Sequence, residues 1–419
     1  MMRRAWVPVV VLMLVTALVV AGCGNAPDGS FAGSAVPAGS EQAAGSAAPS
    51  APPPPPPGHE LYGFVPYWEM DDGIAAHLRE TPLTTIGLFS VTHNSKGAIA
   101  SGQKGYRKIT GDGGRQLIRE AHDRGTRVEL VYSSFTRAKN RRLFESQTLQ
   151  DGVIASLVAL ADDLGVDGIN VDVEGLDPTL VPAYGSFVGA LGAALTAADP
   201  GDQVSVSTGA GPLGAAMAAA ASAGGAERVF LMGYDYRTGR SAPGASAPLD
   251  NREGPGEPSL RWSLDMYAAL GVPPERTLLG LPLYGVEWPV AGPVIGAPET
   301  GPGESWILRR HLDVLVDPAL VPERDETEVV EVYFIGAGTA AGSTSPAASP
   351  SPGASSAGTG QDQTWHAVYV DSPATLRPKL ALANERGLAG AGFWAIGYER
   401  GLPGYTDVMR EFTGAAGTE

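Results

Sequence analysis

Apolar side chains recur along this chain at two alternating periods: every second residue in short runs, every third or fourth in longer ones. The short runs predict strands at 60–68, 84–91, 127–132, 167–174, 203–208 and 228–236. The longer ones predict helices over 114–124, 153–164, 182–197 and 376–386. Strand and helix alternating in this way predict a parallel α/β fold.

The run Asp167-Gly-Ile-Asn-Val-Asp-Val-Glu174 has the sharpest alternation. Asn170, Asp172 and Glu174 share one face, and Ile169, Val171 and Val173 the other. A β-branched row suits the outside of a barrel strand covered by helices, which turns the acidic row inward. Two carboxylates held close together in a partly desolvated interior repel one another, so one of them should keep its proton near neutrality. A general acid needs that property. A solvated acidic edge strand is the plain alternative. Acids grouped at the C-terminal end of a strand with Gly and β-branched residues fit a catalytic barrel strand better.

Charge narrows the partners. With 29 basic and 45 acidic side chains, the net charge of -16 excludes polyanionic nucleic acid as a natural ligand. The six His residues form no HExxH or similar ligand spacing, so neither a metal nor another cofactor is expected. Gly209-Ala-Gly-Pro-Leu-Gly214 has the form G-x-G-x-x-G, with Asp235 about 20 residues on, as in a dinucleotide fingerprint. That motif belongs on the first strand of a nucleotide domain. Here several strand–helix units precede it, and Pro212 falls in the turn meant for pyrophosphate.

The first 58 residues read differently. Arg3 and Arg4 precede an apolar run over 5–21 broken only by Thr16, the pattern of a signal peptide and short for a membrane span. Val20-Ala21-Gly22-Cys23 ends it and looks like a bacterial lipobox, in which the chain's single cysteine is diacylated at the new N-terminus. Two acyl chains suffice for stable anchoring at the outer face of the cell membrane. Residues 24–58, rich in Pro, Ala, Gly and Ser, are expected to be an extended tether.

Asp167-Gly168-x-x-x-Asp172-x-Glu174 resembles the signature of glycoside hydrolase family 18, the chitinase-like barrels. The resemblance implies a (β/α)8 TIM barrel over 59–415 with this run as its fourth strand. It continues in order. Glu60-Leu-Tyr-Gly-Phe-Val-Pro-Tyr-Trp68 looks like the first strand, and Met232-Gly-Tyr-Asp235 resembles the Met-x-Tyr-Asp of the sixth. Residues 277–285 look like the seventh strand and 390–398 the eighth, where Trp394 matches the Trp that floors the sugar site. Between 287 and 371 the pattern resembles a small α+β insertion, with strands at 328–334 and 364–370 around a low-complexity tract at 336–360. Two departures stand out. The inward position commonly filled by Asp is Asn170, and Tyr132-Ser-Ser-Phe135 replaces the Ser-x-Gly-Gly that follows the third strand.

The resemblance further implies a monomeric glycosidase acting on β-linked N-acetylglucosamine-containing glycans, either chitin-type or peptidoglycan. In such an enzyme Glu174 protonates the glycosidic oxygen, Asp172 holds the substrate's acetamido N–H, and Tyr234 binds its carbonyl. Asn170, Met232, Asp235 and Trp394 are the implied substrate contacts. The opening strand and Asn170 are more similar to spore and cell-wall members than to secreted chitinases. A lectin-like barrel without catalysis is the second reading, against which Glu174 argues. A purely structural envelope lipoprotein is the third, and it would have no use for an inward acidic row.

Overall fold

The computed structural model describes residues 59–254, 256–336 and 364–415. The signal-peptide and lipobox expectation at Cys23, the tether and nearly all of the low-complexity tract lie outside them. Eight parallel strands close a barrel: β1 (Glu60–Pro66), β2 (Thr85–Val91), β3 (Arg127–Phe135), β4 (Gly168–Glu174), β5 (Gln203–Gly209), β6 (Arg228–Met232), β7 (Thr277–Pro282) and β13 (Gly390–Trp394), the last pairing with β1. The expected (β/α)8 barrel is therefore the fold.

Local signals explain the helices. The helix Gln147–Leu164 starts where the Ser146 hydroxyl accepts from Leu149 N at 3.3 Å, and it stops at Gly165 in the left-handed conformation. Val153, Leu157, Leu160 and Leu164 fall on one face and are buried against the barrel. The two signature residues before the acidic row have structural work. Asp167 Oδ2 accepts from Val128 N at 2.6 Å and holds the start of β3. A Cβ at Gly168 would meet Gln203 O at 2.2 Å, so only glycine allows β4 and β5 to approach this closely.

Four expectations are corrected. The sixth strand stops at Met232 rather than 236, because Gly233 N turns back to Leu231 O at 2.8 Å and Asp235 has a φ of 61°. The seventh barrel strand stops at Pro282, which has no N–H for a further rung. The eighth stops at Trp394. The insertion is larger than two strands: β8 (Tyr284–Val290), β9 (Glu304–Ile307), β10 (Glu323–Asp325), β11 (Val330–Gly336) and β12 (Trp365–Val370) form an antiparallel sheet in the order β10-β11-β12-β8-β9. It begins at Tyr284, three residues before the expected boundary. Its own core is built on Trp288, Val332, Ala367 and Tyr369.

Candidate active site

Inside the barrel, β3, β4 and β5 contribute a polar half and the remaining strands an aromatic half. Register fixes the layers: Val131, Asn170 and Ser205 lie abreast, then Ser133, Asp172 and Ser207, then Phe135 and Glu174 at the C-terminal rim. Across from them Tyr62, Phe64, Phe89, Phe230 and Leu278 form an apolar cluster against which Met232, Tyr234 and Trp394 pack. Trp394 sits edge-on to Phe89 with ring centroids 4.7 Å apart and lies 5.6 Å from Phe64, so its indole is fixed on two sides.

A cleft of about 810 Å³ opens above these layers. It brings together Asp172, Glu174, Met232, Tyr234, Asp235 and Trp394 from three separate strands or their exits. Asn170 is not among its walls. The side chain is fully buried one layer below, where Nδ2 donates to Ser205 Oγ at 2.8 Å and Oδ1 accepts from Ser207 Oγ at 2.9 Å. Both of its polar atoms thus take part in the barrel's own hydrogen bonding. Asp172 is 5 % exposed and has no hydrogen-bond partner among the described residues. Burial, and after it the charge of Glu174, pushes its carboxyl well above the usual range.

Glu174 stands open at the rim, yet the surrounding walls still raise its pKa, with Asp235 as the second cause. The repulsion expected along β4 thus has a further member from the exit of β6. Asp235 accepts from Tyr284 O–H at 2.5 Å, and its carboxyl is also raised by burial, an effect this hydrogen bond opposes. Tyr234 O–H has no hydrogen-bond partner among the described residues, and burial and the neighbouring carboxyls hold its proton firmly. No group of three or more His, Cys, Asp or Glu able to hold a metal ion occurs among the described residues.

Several contributors were not foreseen. Asn140, wholly buried, donates from Nδ2 to the main-chain oxygen of Glu174 at 2.6 Å and accepts from Ser134 Oγ at 2.7 Å, which fixes the end of β4. Trp68 and Phe135 are 42 % and 38 % exposed and each packs against Phe89, edge-on and stacked respectively, and Trp68 Nε1 donates to Tyr398 Oη at 3.1 Å. Glu129 lies buried on the inner face of β3 and accepts from Tyr62 O–H at 2.9 Å and Ser205 O–H at 2.5 Å. Its position in the alternation Val128-Glu129-Leu130 was the available signal, since it shares the inward parity of Ser133.

Residues 128–399, most of the chain, match the model of the glycosyl hydrolases family 18. The chain belongs to this family. Nod factor hydrolase protein 1 of Medicago truncatula is 28% identical over 179 residues, 41% of this chain and 39% of that protein, so the match spans about two fifths of the relative's length. Solved structures agree on the fold. An N-acetylglucosaminidase of family 18 from Paenibacillus barengoltzii has a TM-score of 0.65 at 16% identity, covering 84% of this chain and 99% of that one. A family 18 chitinase from Cycas revoluta has a TM-score of 0.64 at 18% identity, covering 84% and 98%. The spore cortex-lytic enzyme SleL of Bacillus cereus has a TM-score of 0.64 at 16% identity, covering 87% and 76%.

Proposed function

We propose that this protein is a glycosidase that cleaves β-linked N-acetylglucosamine-containing glycans by a retaining route in which the substrate's own acetamido group is the nucleophile. The observation that carries this reading is the convergence of a carboxyl raised in pKa at the rim, Glu174, with two polar groups that find no partner among the described residues, Asp172 and the Tyr234 hydroxyl. Polar groups left unpaired in a partly buried site favour a ligand that pairs them. The Cycas chitinase was solved in complex with (GlcNAc)3, which supports a sugar of this class.

In this reading Glu174 O–H gives its proton to the glycosidic oxygen as the bond from that oxygen to the anomeric carbon breaks. The acetamido carbonyl oxygen bonds to the same carbon from the other face and forms a cyclic oxazolinium. Asp172 accepts the acetamido N–H, and Tyr234 O–H donates to its carbonyl oxygen. The Glu174 carboxylate then takes a proton from the water that opens the ring, and the anomeric configuration is retained. No protein carboxylate becomes glycosylated, in contrast to the two-carboxylate route.

Purified protein should release reducing ends from N-acetylglucosamine oligomers, and a thiazoline mimic of the intermediate should inhibit far more tightly than free N-acetylglucosamine. Rapid cleavage of a matched 2-hydroxy glucoside, or a glycosyl group trapped on any side chain, would sink the mechanism.

We further propose that diacylated Cys23 anchors the enzyme at the outer face of the cell membrane through the tether 24–58. Cys23→Ser should move the protein out of the membrane fraction. Retention of this variant after a high-salt wash would instead make 5–21 an uncleaved anchor.

A further inference from the structure

Charge is distributed unevenly around the cleft. The whole chain carries a net charge of -16, yet residues 92–110 hold four bases and 136–144 another four, with no Asp or Glu in either stretch. The two stretches follow the neighbouring strands β2 and β3, and they include the helices Lys104–Thr110 and Arg137–Phe144. Some of this charge is already balanced: Arg137 and Arg141 share Asp177 at 3.0 and 3.2 Å. Lys104 and Lys139 have no carboxylate partner among the described residues. Lys104 lines the cleft, and Lys139 Nζ donates to the hydroxyl of Thr92, another wall residue. Lys139 is only partly exposed, so its ammonium has given up some hydration without an anion in return. Burial draws its pKa down and no carboxylate draws it back.

We propose that this wall recognises a carboxylate on the glycan, so that the preferred substrate carries acidic substituents, such as the lactyl ether of N-acetylmuramic acid, rather than being a neutral N-acetylglucosamine homopolymer. The proposal rests on the reading of the cleft as a glycan site. The floor holds three carboxyls, Asp172, Glu174 and Asp235, whose raised pKa values mark it as a place where further negative charge is disfavoured. Lys104 and Lys139 offer such a substituent the favourable direction, toward β2 and β3. The same pair of forces that admits an acidic glycan also fixes which way round it lies.

The experiment compares kcat/KM of the purified full chain on three oligosaccharides of equal length: one all N-acetylglucosamine, one with lactyl carboxylates on alternate sugars, and the methyl ester of the second. The ester keeps the bulk and removes the charge. The acid should exceed its ester by about 10-fold at low salt, a modest effect for charge focusing in a cleft, and the advantage should shrink as salt rises. Lys104→Gln and Lys139→Gln should each lower the acid-to-ester ratio, while Lys139→Arg should hold it. Lys104 is exposed, so its variant tests the idea without disturbing the core. Equal cleavage of acid and ester by the wild type overturns the proposal, and if the neutral oligomer is still cut the glycan reading survives. Failure to bind or cut any of the three removes both. Binding to vesicles of anionic phospholipid that is lost in the lysine variants, together with an acid-to-ester ratio of one, would assign these cations to a lipid surface and overturn the proposal as well.

Discussion

One strand of this barrel carries two polar layers with opposite fates. Asn170 on β4 is fully satisfied, donating to Ser205 and accepting from Ser207, and Ser205 in turn donates to Glu129 beside Tyr62. Asp172, two residues further on and abreast of Ser133 and Ser207, pairs with nothing among the described residues. Both are buried, so burial does not separate them. Satisfaction does. A buried polar group with all its partners in the chain serves the fold, whereas one held without a partner is kept at a cost to stability and points to a ligand. The lower layer is built of neutral side chains converging on one carboxyl, while the upper layer places three carboxyls around one cavity and raises the pKa of each.

The largest test of this contrast is Glu174→Gln. The amide keeps the shape of the rim and cannot donate the proton, so turnover should fall by at least about 100-fold with little change in melting temperature. Steady-state assays beside thermal melts read both. Asn170→Ala should do the reverse: Ser205 and Ser207 lose their shared partner, and stability should drop by about 1–3 kcal/mol in denaturant titrations. If Asn170→Ala left stability untouched while abolishing turnover, the division between the layers would be wrong. Asp172→Asn is smaller and depends on pH. The raised pKa of Asp172 means that its folded form favours the proton, so wild-type stability is fully present below the ordinary carboxylate pKa and declines as pH rises through the folded value. The Asn variant lacks this titration, so its melting temperature should gain on the wild type as pH rises.

Much of the upper layer was legible in the sequence because it lies on local patterns. Period-two alternation set the inward face of 167–174, and Met232-Gly-Tyr-Asp235 and Trp394 fell where the order of strands expected them. The lower layer was mostly hidden. Glu129 and Ser205 in that layer, like Asn140 behind the rim, are single polar residues whose bonding partners lie 34 to 76 positions away in the chain, which no local period reports. The insertion was half legible for a related reason. β11 and β12 have six or seven residues and alternate visibly, but β9 and β10 have four and three and exist only through their pairing. The misplaced strand ends at 232 and 282 come from a turn and a proline that an apolar run alone does not weigh.

The smallest and most discriminating prediction concerns Asn170→Asp, which restores the residue type common in the family at a position now known to sit below the cleft. The protons of the lower layer run one way: Ser207 O–H to Asn170 Oδ1, Asn170 N–H to Ser205 Oγ, and Ser205 O–H to Glu129 Oε2. A carboxylate in place of the amide would set an oxygen without a proton against Ser205 Oγ, whose own proton is committed to Glu129. The new carboxyl therefore keeps its proton, helped by Glu129 below and Asp172 above, and its folded pKa rises over the unfolded value of about 3.9. Its contribution to stability is then complete below that value and is lost as pH rises toward the folded pKa, so the variant should fall progressively behind the wild type as pH rises above about 4. The new carboxyl and Asp172 lie two residues apart on one strand face, so their titrations are coupled and ionisation of either raises the other. The acid limb of the kcat/KM profile should accordingly move to higher pH, with the maximal rate changed only a few-fold, by roughly 1 kcal/mol or less. Thermal melts and pH–rate profiles measured side by side decide it. A variant as stable as the wild type at every pH, with an unmoved acid limb, would mean that Ser205 can turn its proton toward position 170 and that the two layers are not coupled through Asn170.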